Sequence, residues 1–411
     1  MNRLKTISAA LILAVSLPCQ AQVDDIRNAR FGTSFSFTPL LAYNSDLGFQ
    51  LGGLANFCDY GKNPSYYPYA KQEYSIAACY FTRGQVLVNG TYQSDHLIPG
   101  VTLAANLSYS NDPLRKFYGF NGIEIYNSAY DRSGSYAAYC VKRNLLRINT
   151  SLKGKIVGPL FWTGGVSFRH FRIGDISFGN YDPYYTIYHQ YVAEGAIRPE
   201  EAHGGDVLEL RAGLQLDSRD NSYSPGKGIL AELFAVAAPG IGGNSYLKMC
   251  AHFRHYISLL PNRIVFAYHL AWQGRLSGNV PFYMLGCLNS STAAFTYEEG
   301  LGGWDTIRGV MSGRLIGNSY AWCNVELRLR LLEWNTGGQT LFLGVNPFFD
   351  AGAIVEPYRQ GVLRSDDAVH CSAGAGLKFG TNTTFASIEF GKAFRDQDGR
   401  FSLSVGVNYM F

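Results

Sequence analysis

The chain has 411 residues and is rich in aromatic residues and glycine, with 28 Tyr, 26 Phe and 46 Gly, while only 16% of its residues are charged. This composition is typical of an all-β exported protein. The formal net charge of +4 and the lack of any Lys/Arg-rich run exclude a nucleic-acid partner. No segment beyond the leader approaches the roughly 18 apolar residues of a membrane helix.

The first element in chain order is an export signal. An apolar run over Ile7–Leu17 follows two basic residues and precedes a small-residue cleavage site. This order predicts a cleaved secretory signal peptide over residues 1–21, and Pro18 disfavours lipid attachment at Cys19. A short periplasmic segment, residues 22–33, is predicted to lead into the first strand.

Polar and apolar residues alternate through residues 34–411, most clearly from Tyr320 to Leu331, which is the period of a β-strand with two different faces. Turn residues divide this region into sixteen candidate strands. Their predicted starts lie near Ser34, Leu47, Tyr74, Gln85, Val101, Leu145, Leu160, Val207, Ile229, Tyr246, Arg263, Tyr320, Thr340, Cys371, Thr384 and Phe401.

The predicted loops also alternate in length. Short connections over 259–262, 335–339 and 380–383 alternate with long ones over 112–144, 176–206 and 277–319. Short periplasmic turns, long external loops and an even strand number together predict an all-β fold, a sixteen-stranded antiparallel transmembrane β-barrel. The alternative is a soluble β-sandwich or barrel, whose polar strand face would have to meet solvent.

Seven cysteines follow the leader, with no C-x-x-C pair and no zinc-type spacing. Cys140 and Cys287 lie in predicted loops, where an oxidising compartment would allow a disulfide between them. Free thiols are the favoured expectation. The pair His252-x-x-His255 would point to opposite faces of a strand and so would not share a metal. No metal site and no cofactor are expected.

Four short motifs carry a resemblance to a known family. A loop through Gly302, Gly303, Ile307, Arg308 and Gly309 resembles a [VI]-R-G-[FY] loop. The segment with Asp217, Arg219, Asp220, Pro225 and Gly228 resembles a D-x-R-D-N…P-x-K-G periplasmic turn, and Phe348 to Gly352 resembles an F-x-D-x-G strand. With the strand Asn324 to Arg328, they make the chain similar to the BamA/TamA-type outer-membrane insertase superfamily, whose relatives include two-partner-secretion transporters. The match covers about residues 200–411 well.

The chain departs from that pattern in two ways. Val310 stands where an aromatic residue usually follows the loop glycine. Periplasmic POTRA domains normally precede the barrel, whereas residues 22–33 are too few for a domain of roughly 50 residues. We therefore expect a POTRA-less member. Its last strand, ending in Tyr409 and Phe411, resembles the assembly signal of outer-membrane barrels.

The resemblance implies that the loop carrying Arg308 and Gly309 folds into the lumen and meets the strand with Phe348. Strand parity independently predicts that Phe342, Asn346, Phe348 and Asp350 face inward, as does Glu326 on the preceding strand. An arginine is suited to this position because its guanidinium forks onto a carboxylate and stays charged. We expect Arg308 to hydrogen-bond Asp350, with Glu326 as a second acceptor.

These expectations favour a Gram-negative outer-membrane barrel that is a partner-dependent component of protein or lipid assembly or export, and not an enzyme. The expected partners are outer-membrane lipids and lipopolysaccharide, the barrel-assembly machinery that inserts it, accessory membrane or periplasmic proteins, and a second copy of itself. Two alternatives stay open: a passive porin-like channel, and an outer-membrane lipid enzyme using His255. No G-x-S-x-G elbow supports the enzyme.

Overall fold

The computed structural model describes residues 32–44, 48–62, 70–133, 135–222, 224–241, 243–290, 300–336, 339–381, 385–399, 401–407 and 409–411. The predicted leader, nearly all of the segment 22–33, and the predicted strand starts Leu47 and Thr384 lie outside these residues. In the part of the chain that is described, no helix is long and apolar enough to cross a membrane.

Sixteen antiparallel strands close into a barrel in chain order, each corresponding to one predicted strand. Their bounds are β1 Thr33–Asn44, β2 Gly48–Asp59, β3 Gln72–Phe81, β4 Val86–Ile98, β5 Val101–Lys116, β6 Cys140–Val157, β7 Leu160–Gly174, β8 Gly204–Asp217, β9 Gly228–Pro239, β10 Ser245–Leu260, β11 Ile264–Gly278, β12 Ser319–Thr336, β13 Gln339–Glu356, β14 His370–Thr381, β15 Phe385–Ala393 and β16 Ser402–Val407. Within the described ranges, two short helices, α1 Ile187–Ala193 and α2 Phe282–Leu285, lie in the long loops, with single 3-10 turns at Ser128–Tyr130, Pro183–Tyr185 and Asp396–Asp398.

Alternation along each strand separates an apolar outside from a polar inside. On β13, Asn346 and Asp350 are buried while Phe349 is exposed, as parity predicts. On β8, Leu210 and Leu214 are exposed and Glu209 is buried. A barrel that buries charges and exposes leucines is arranged for a lipid environment, which excludes the soluble alternative.

The two ends of the barrel differ in their connections. The long connections 117–139, 175–203, 279–318 and 357–369 leave one end, called here the loop end. The short connections 99–100, 158–159, 218–227 and 261–263 leave the other, called the turn end. The predicted alternation of short and long loops is therefore present.

The register of β12 to β15 gathers inward carboxylates. Asn324 pairs with Asp350 and Glu326 with Phe348 across β12 and β13, and Gly376 pairs with Glu389 across β14 and β15. Because neighbouring strands lie about 4.8 Å apart, the three inward acids occupy one region of the wall. A cation entering the lumen at this height meets all of them.

The barrel closes weakly between its first and last strands. Among the described residues, β1 and β16 pair at a single position, Asn44 with Ser404, whereas β1 pairs with β2 along its whole length. β1 also contains Pro39, which has no N–H to donate and is tolerated at a sheet edge. Among the described residues, the seam between β1 and β16 is thus paired at the loop end only.

The predicted final strand is wrong beyond Val407. β16 stops there, and the described residues Tyr409 to Phe411 turn into the barrel. The Tyr409 ring lies 3.9 Å from the Arg328 guanidinium and the Phe411 ring 5.6 Å from His269. Arg328 NH2 donates to the main-chain oxygen of Phe411 at 2.5 Å. Without a long partner on β1, the end of the chain finds its hydrogen bonds and ring contacts inside.

No disulfide joins any two cysteines of the described residues. Cys140 and Cys287 are both buried, and Cys140 begins β6 rather than lying in a loop as predicted. The histidines follow parity: His252 is buried in the lumen beside His269 at 3.2 Å, and His255 contacts the Tyr268 hydroxyl at 3.2 Å on the outer face.

Candidate functional site

The β11–β12 connection returns into the barrel. Its part over residues 300–318, called here the lumen loop, forms a hairpin in which Leu301 and Leu315 exchange main-chain hydrogen bonds of 3.0 and 3.1 Å. Nearer the tip, the Gly303 N–H donates to the Val310 carbonyl at 2.8 Å. The hairpin carries Arg308 down to the inward carboxylates of the wall.

Arg308 binds Asp350 through three hydrogen bonds. Its Nε donates to Oδ2 at 2.8 Å, its NH2 donates to Oδ1 at 2.8 Å, and its main-chain N–H donates to Oδ2 at 3.0 Å. The two guanidinium bonds form the planar fork that makes arginine–carboxylate pairs both strong and directional. Asp350 therefore fixes the side chain and the backbone of the loop tip.

Two further carboxylates share the remaining guanidinium nitrogen. Arg308 NH1 donates to Glu326 Oε1 at 2.5 Å and to Glu389 Oε2 at 3.0 Å. The guanidinium carbon also lies 3.6 Å from the centre of the Phe348 ring, a cation–π contact. The predicted partners Asp350, Glu326 and Phe348 are thus brought together, and Glu389 joins them.

The cluster around Arg308 is balanced in charge. Arg328 donates to Glu326 at 2.9 Å, and Lys378 donates to Glu389. Burial alone would lower the pKa of Arg308, but the surrounding carboxylates, Asp350 first, raise that pKa well above its ordinary value. Three cations and three carboxylates compensate one another, as buried charges require.

Gly309 is required by both conformation and space. Its φ of 97° lies in the left-handed region, and a Cβ there would stand 2.7 Å from the Lys392 nitrogen of β15. A Cβ on Gly391 of the wall would stand 2.8 Å from the Gly309 nitrogen. The two glycines let the loop backbone touch the strand backbone directly.

Apolar packing seats the rest of the hairpin. Leu301, Ile307, Val310 and Leu315 are buried in one cluster with Trp322 and its neighbours on the wall. Val310 is only 1% exposed, so this smaller side chain fills the position where the related pattern has an aromatic. The Trp304 ring lies 3.5 Å from the place of a Cβ on Gly406, which puts the loop tip against β16.

Similarity to known proteins agrees with this arrangement. The Omp85 superfamily domain matches residues 72–409. The chain belongs to the Omp85 superfamily. No curated protein sequence matches it significantly.

Two solved structures share the fold of this Omp85 barrel. BamA from Haemophilus ducreyi lacking POTRA domains 1–3 superposes with a TM-score of 0.59 at 17% identity, covering 92% of this chain and 70% of that one. CdiB from Escherichia coli gives a TM-score of 0.56 at 11% identity over 92% of this chain and 62% of that one. At such identities the likeness shows the fold alone.

A second buried arginine of the Omp85 barrel clamps the loops at the loop end. Arg314 donates to Asp398 Oδ1 at 3.2 Å and to the Gly122 carbonyl at 2.9 Å, and His370 Nδ1 lies 2.7 Å from Asp398 Oδ2. Burial raises the pKa of Asp398, but the His370 hydrogen bond and the nearby Arg314 outweigh this and lower it. Residues from four different connections and strands meet here.

Sequence reasoning missed Glu389, Lys378 and this second clamp. Parity offered a signal for the first two, since Lys378 lies on the polar face of β14 and Glu389 on the buried face of β15. The second clamp had none, because three of its residues lie on loops whose paths follow no period.

The predicted turn motif builds the β8–β9 connection at the turn end. Arg219 forks onto Asp217 at 2.9 and 2.8 Å, and Asp220 Oδ1 accepts from the Gly226 N–H at 2.9 Å. Pro225 is buried, and Gly228 has φ 107°, with no room for a Cβ beside the Ser218 carbonyl. The motif stiffens a turn and lies far from the Arg308 cluster along the chain.

The described residues hold no group of three or more His, Cys, Asp or Glu side chains arranged to bind a metal ion. The hydrogen bonds and ion pairs around Arg308 hold the lumen loop against the wall.

Proposed function

We propose that this Omp85 barrel works in the bacterial outer membrane as a partner-dependent component of protein or lipid assembly or export. The observation that carries the proposal is the seam, where β1 and β16 pair at one position among the described residues. Unpaired backbone groups in lipid each cost several kcal/mol. The free edge of β1 is therefore suited to accept a strand from another chain.

The lumen loop supports the same role. A hairpin fixed by Arg308 occupies the lumen, and its Trp304 rests on β16 beside the seam. Tyr409 to Phe411 turn into the lumen toward Arg328. These residues therefore do not extend β16 along β1. Loop, seam and chain end thus form one contiguous unit.

Photo-crosslinking tests this proposal in cells. A photoreactive residue at Leu41 on β1 is expected to capture outer-membrane proteins or accessory assembly proteins. The matched control is Leu210 on β8, an outward leucine of similar exposure whose strand is paired on both sides. Capture of the same proteins at both positions, or of none at Leu41, would argue against a role for the seam.

A passive channel is the second candidate. The observation in its favour is a cavity of about 1170 Å³ between the lumen loop, β16 and the Gln50 region of β2. Single-channel recordings in planar bilayers separate the two proposals, because a large and steady conductance would favour the channel. We propose no enzymatic role for the outward His255, which contacts the Tyr268 hydroxyl at 3.2 Å.

A further inference from the structure

A second, smaller cavity lies at the loop end, apart from the Arg308 cluster. Its volume is about 210 Å³, and its lining includes Arg198, Arg275 and Arg359. These arginines come from the β7–β8 connection, from β11 and from the β13–β14 connection. Glu356 is the one carboxylate among the described lining residues, so the lining carries an excess of positive charge.

Each of the three guanidinium groups is held by hydrogen bonds, but not all of its N–H donors are used. Arg198 NH1 donates to Glu201 at 3.3 Å, and Arg359 NH1 donates to the Ala196 carbonyl at 3.0 Å. Arg275 pairs with Glu356 and donates to the Gly278 carbonyl at 2.6 Å. A guanidinium carries five N–H donors, so each group has donors beyond these bonds. Arg275 Nε is buried and has no hydrogen-bond partner among the described residues.

Tyr358 is also one of the residues that line this cavity. Its side chain is 4% exposed, and within the described structure its hydroxyl has no hydrogen-bond partner. Burial, followed by the charge of Glu201, raises the pKa of Tyr358 to about 12 despite the nearby Arg198 and Arg359. The phenol therefore keeps its proton at neutral pH, and a buried unpaired hydroxyl has a free-energy cost that a ligand would remove.

The backbone at Arg359 is held in an unusual conformation. Its φ of 48° lies in the left-handed region, which non-glycine residues seldom adopt and which surrounding contacts must stabilise. Here the contacts are the hydrogen bonds from Arg359 to the carbonyls that follow α1. They hold this arginine at the cavity.

We propose that this cavity binds a phosphate group through Arg198, Arg275, Arg359 and the Tyr358 hydroxyl. Planar guanidinium forks match the oxygens of a tetrahedral anion, and the cavity has net positive charge with unused donors. The phosphate comes either from a soluble compound or from the headgroup of a membrane glycolipid. The site is separate from the proposed seam function.

Thermal unfolding of the full chain tests the site. In detergent, sodium phosphate is expected to raise the unfolding temperature relative to sodium chloride at equal ionic strength. In a second arm, the protein in phosphatidylcholine vesicles is compared with and without lipid A. Arg359→Gln and Arg198→Gln should each raise the phosphate concentration needed for a given increase in unfolding temperature at least roughly tenfold. The reason is that each substitution removes charge-assisted hydrogen bonds to the phosphate.

Arg364→Gln is the matched control, since it makes the same charge change on an exposed residue of the same connection. Tyr358→Phe should fold normally and weaken the phosphate effect, because its hydroxyl has no other partner to lose. Stabilisation by phosphate in detergent supports a soluble ligand, and stabilisation only by lipid A supports a headgroup. No stabilisation in either arm, or an equal loss in Arg364→Gln, would overturn the proposal.

Discussion

Arg308 and Asp350 lie on segments 42 residues apart and are joined by three hydrogen bonds, one of them from the Arg308 main chain. The pair fixes the tip of the lumen loop to β13, while the other carboxylates on Arg308 extend the contact to β12 and β15. The loop is thereby attached to three strands of the wall through one side chain.

Arg308→Ala should release the lumen loop and leave a folded barrel. Breaking one partner of a buried ion pair costs about 3–5 kcal/mol because a carboxylate stays buried without compensation. Limited proteolysis should show new cleavage between Ser290 and Arg314. The control is Arg330→Ala, which removes a more exposed pair with Glu333 and should cost less than about 1 kcal/mol.

Asp350→Asn should give a similar phenotype. The double variant with Arg308→Ala should be little worse than either single variant, because both remove one interaction. The measurement is the stability of each variant in urea-dependent unfolding. Additive losses would show that the two residues act independently.

Gly309→Ala should displace the loop tip from β15. The added Cβ would meet the Lys392 nitrogen at 2.7 Å in addition to the unfavourable φ. Gly361→Ala separates the two effects, since Gly361 has φ 81° but nothing within 4 Å of the added atom. We expect Gly361→Ala to cost about 1 kcal/mol and Gly309→Ala more, with protease sensitivity in the lumen loop only for the latter.

Phe411→Ala should reduce the amount of heat-modifiable barrel in outer membranes, if the terminal aromatic serves as an assembly signal. Arg328→Gln tests the alternative that the lumen contact matters, because it removes the hydrogen bond to Phe411 while keeping the Phe411 ring. Since it also removes the Arg328 bond to Glu326, Glu326→Gln is its control. Normal insertion of Arg328→Gln with poor insertion of Phe411→Ala is the expected result. Equal defects would place the importance of Phe411 in its lumen contacts.

Acid should weaken the second clamp. The pKa of Asp398 is lowered in the folded protein, so its contribution to stability is present above its ordinary value of 3.8 and is lost as the pH falls through the folded value. Asp398→Asn should remove that part of the pH dependence. The test compares the unfolding temperatures of the two proteins between pH 7 and pH 3, and parallel profiles would contradict it.

The sequence alone determined the wall and much of the Arg308 site. Alternation with a period of two decides which face of each strand turns inward, so Glu326, Phe348 and Asp350 could be assigned to the lumen from their positions. The resemblance of the loop around Arg308 to the family's loop implied that the segment returns inside, and its glycines permit that path. These features depend on local geometry, which neighbouring residues specify.

Only the tertiary structure decided which residues from remote segments come into contact inside the barrel. Glu389 and Lys378 reach the Arg308 cluster because of the register of β14 and β15, and Arg314, His370 and Asp398 meet because separate connections fold over one another. Tyr409 and Phe411 continue the strand pattern in sequence, yet they lie inside. Among the described residues β1 and β16 pair at one position, and Arg328 donates a hydrogen bond to Phe411. Such contacts depend on distances between segments remote in sequence, and no local period encodes those distances.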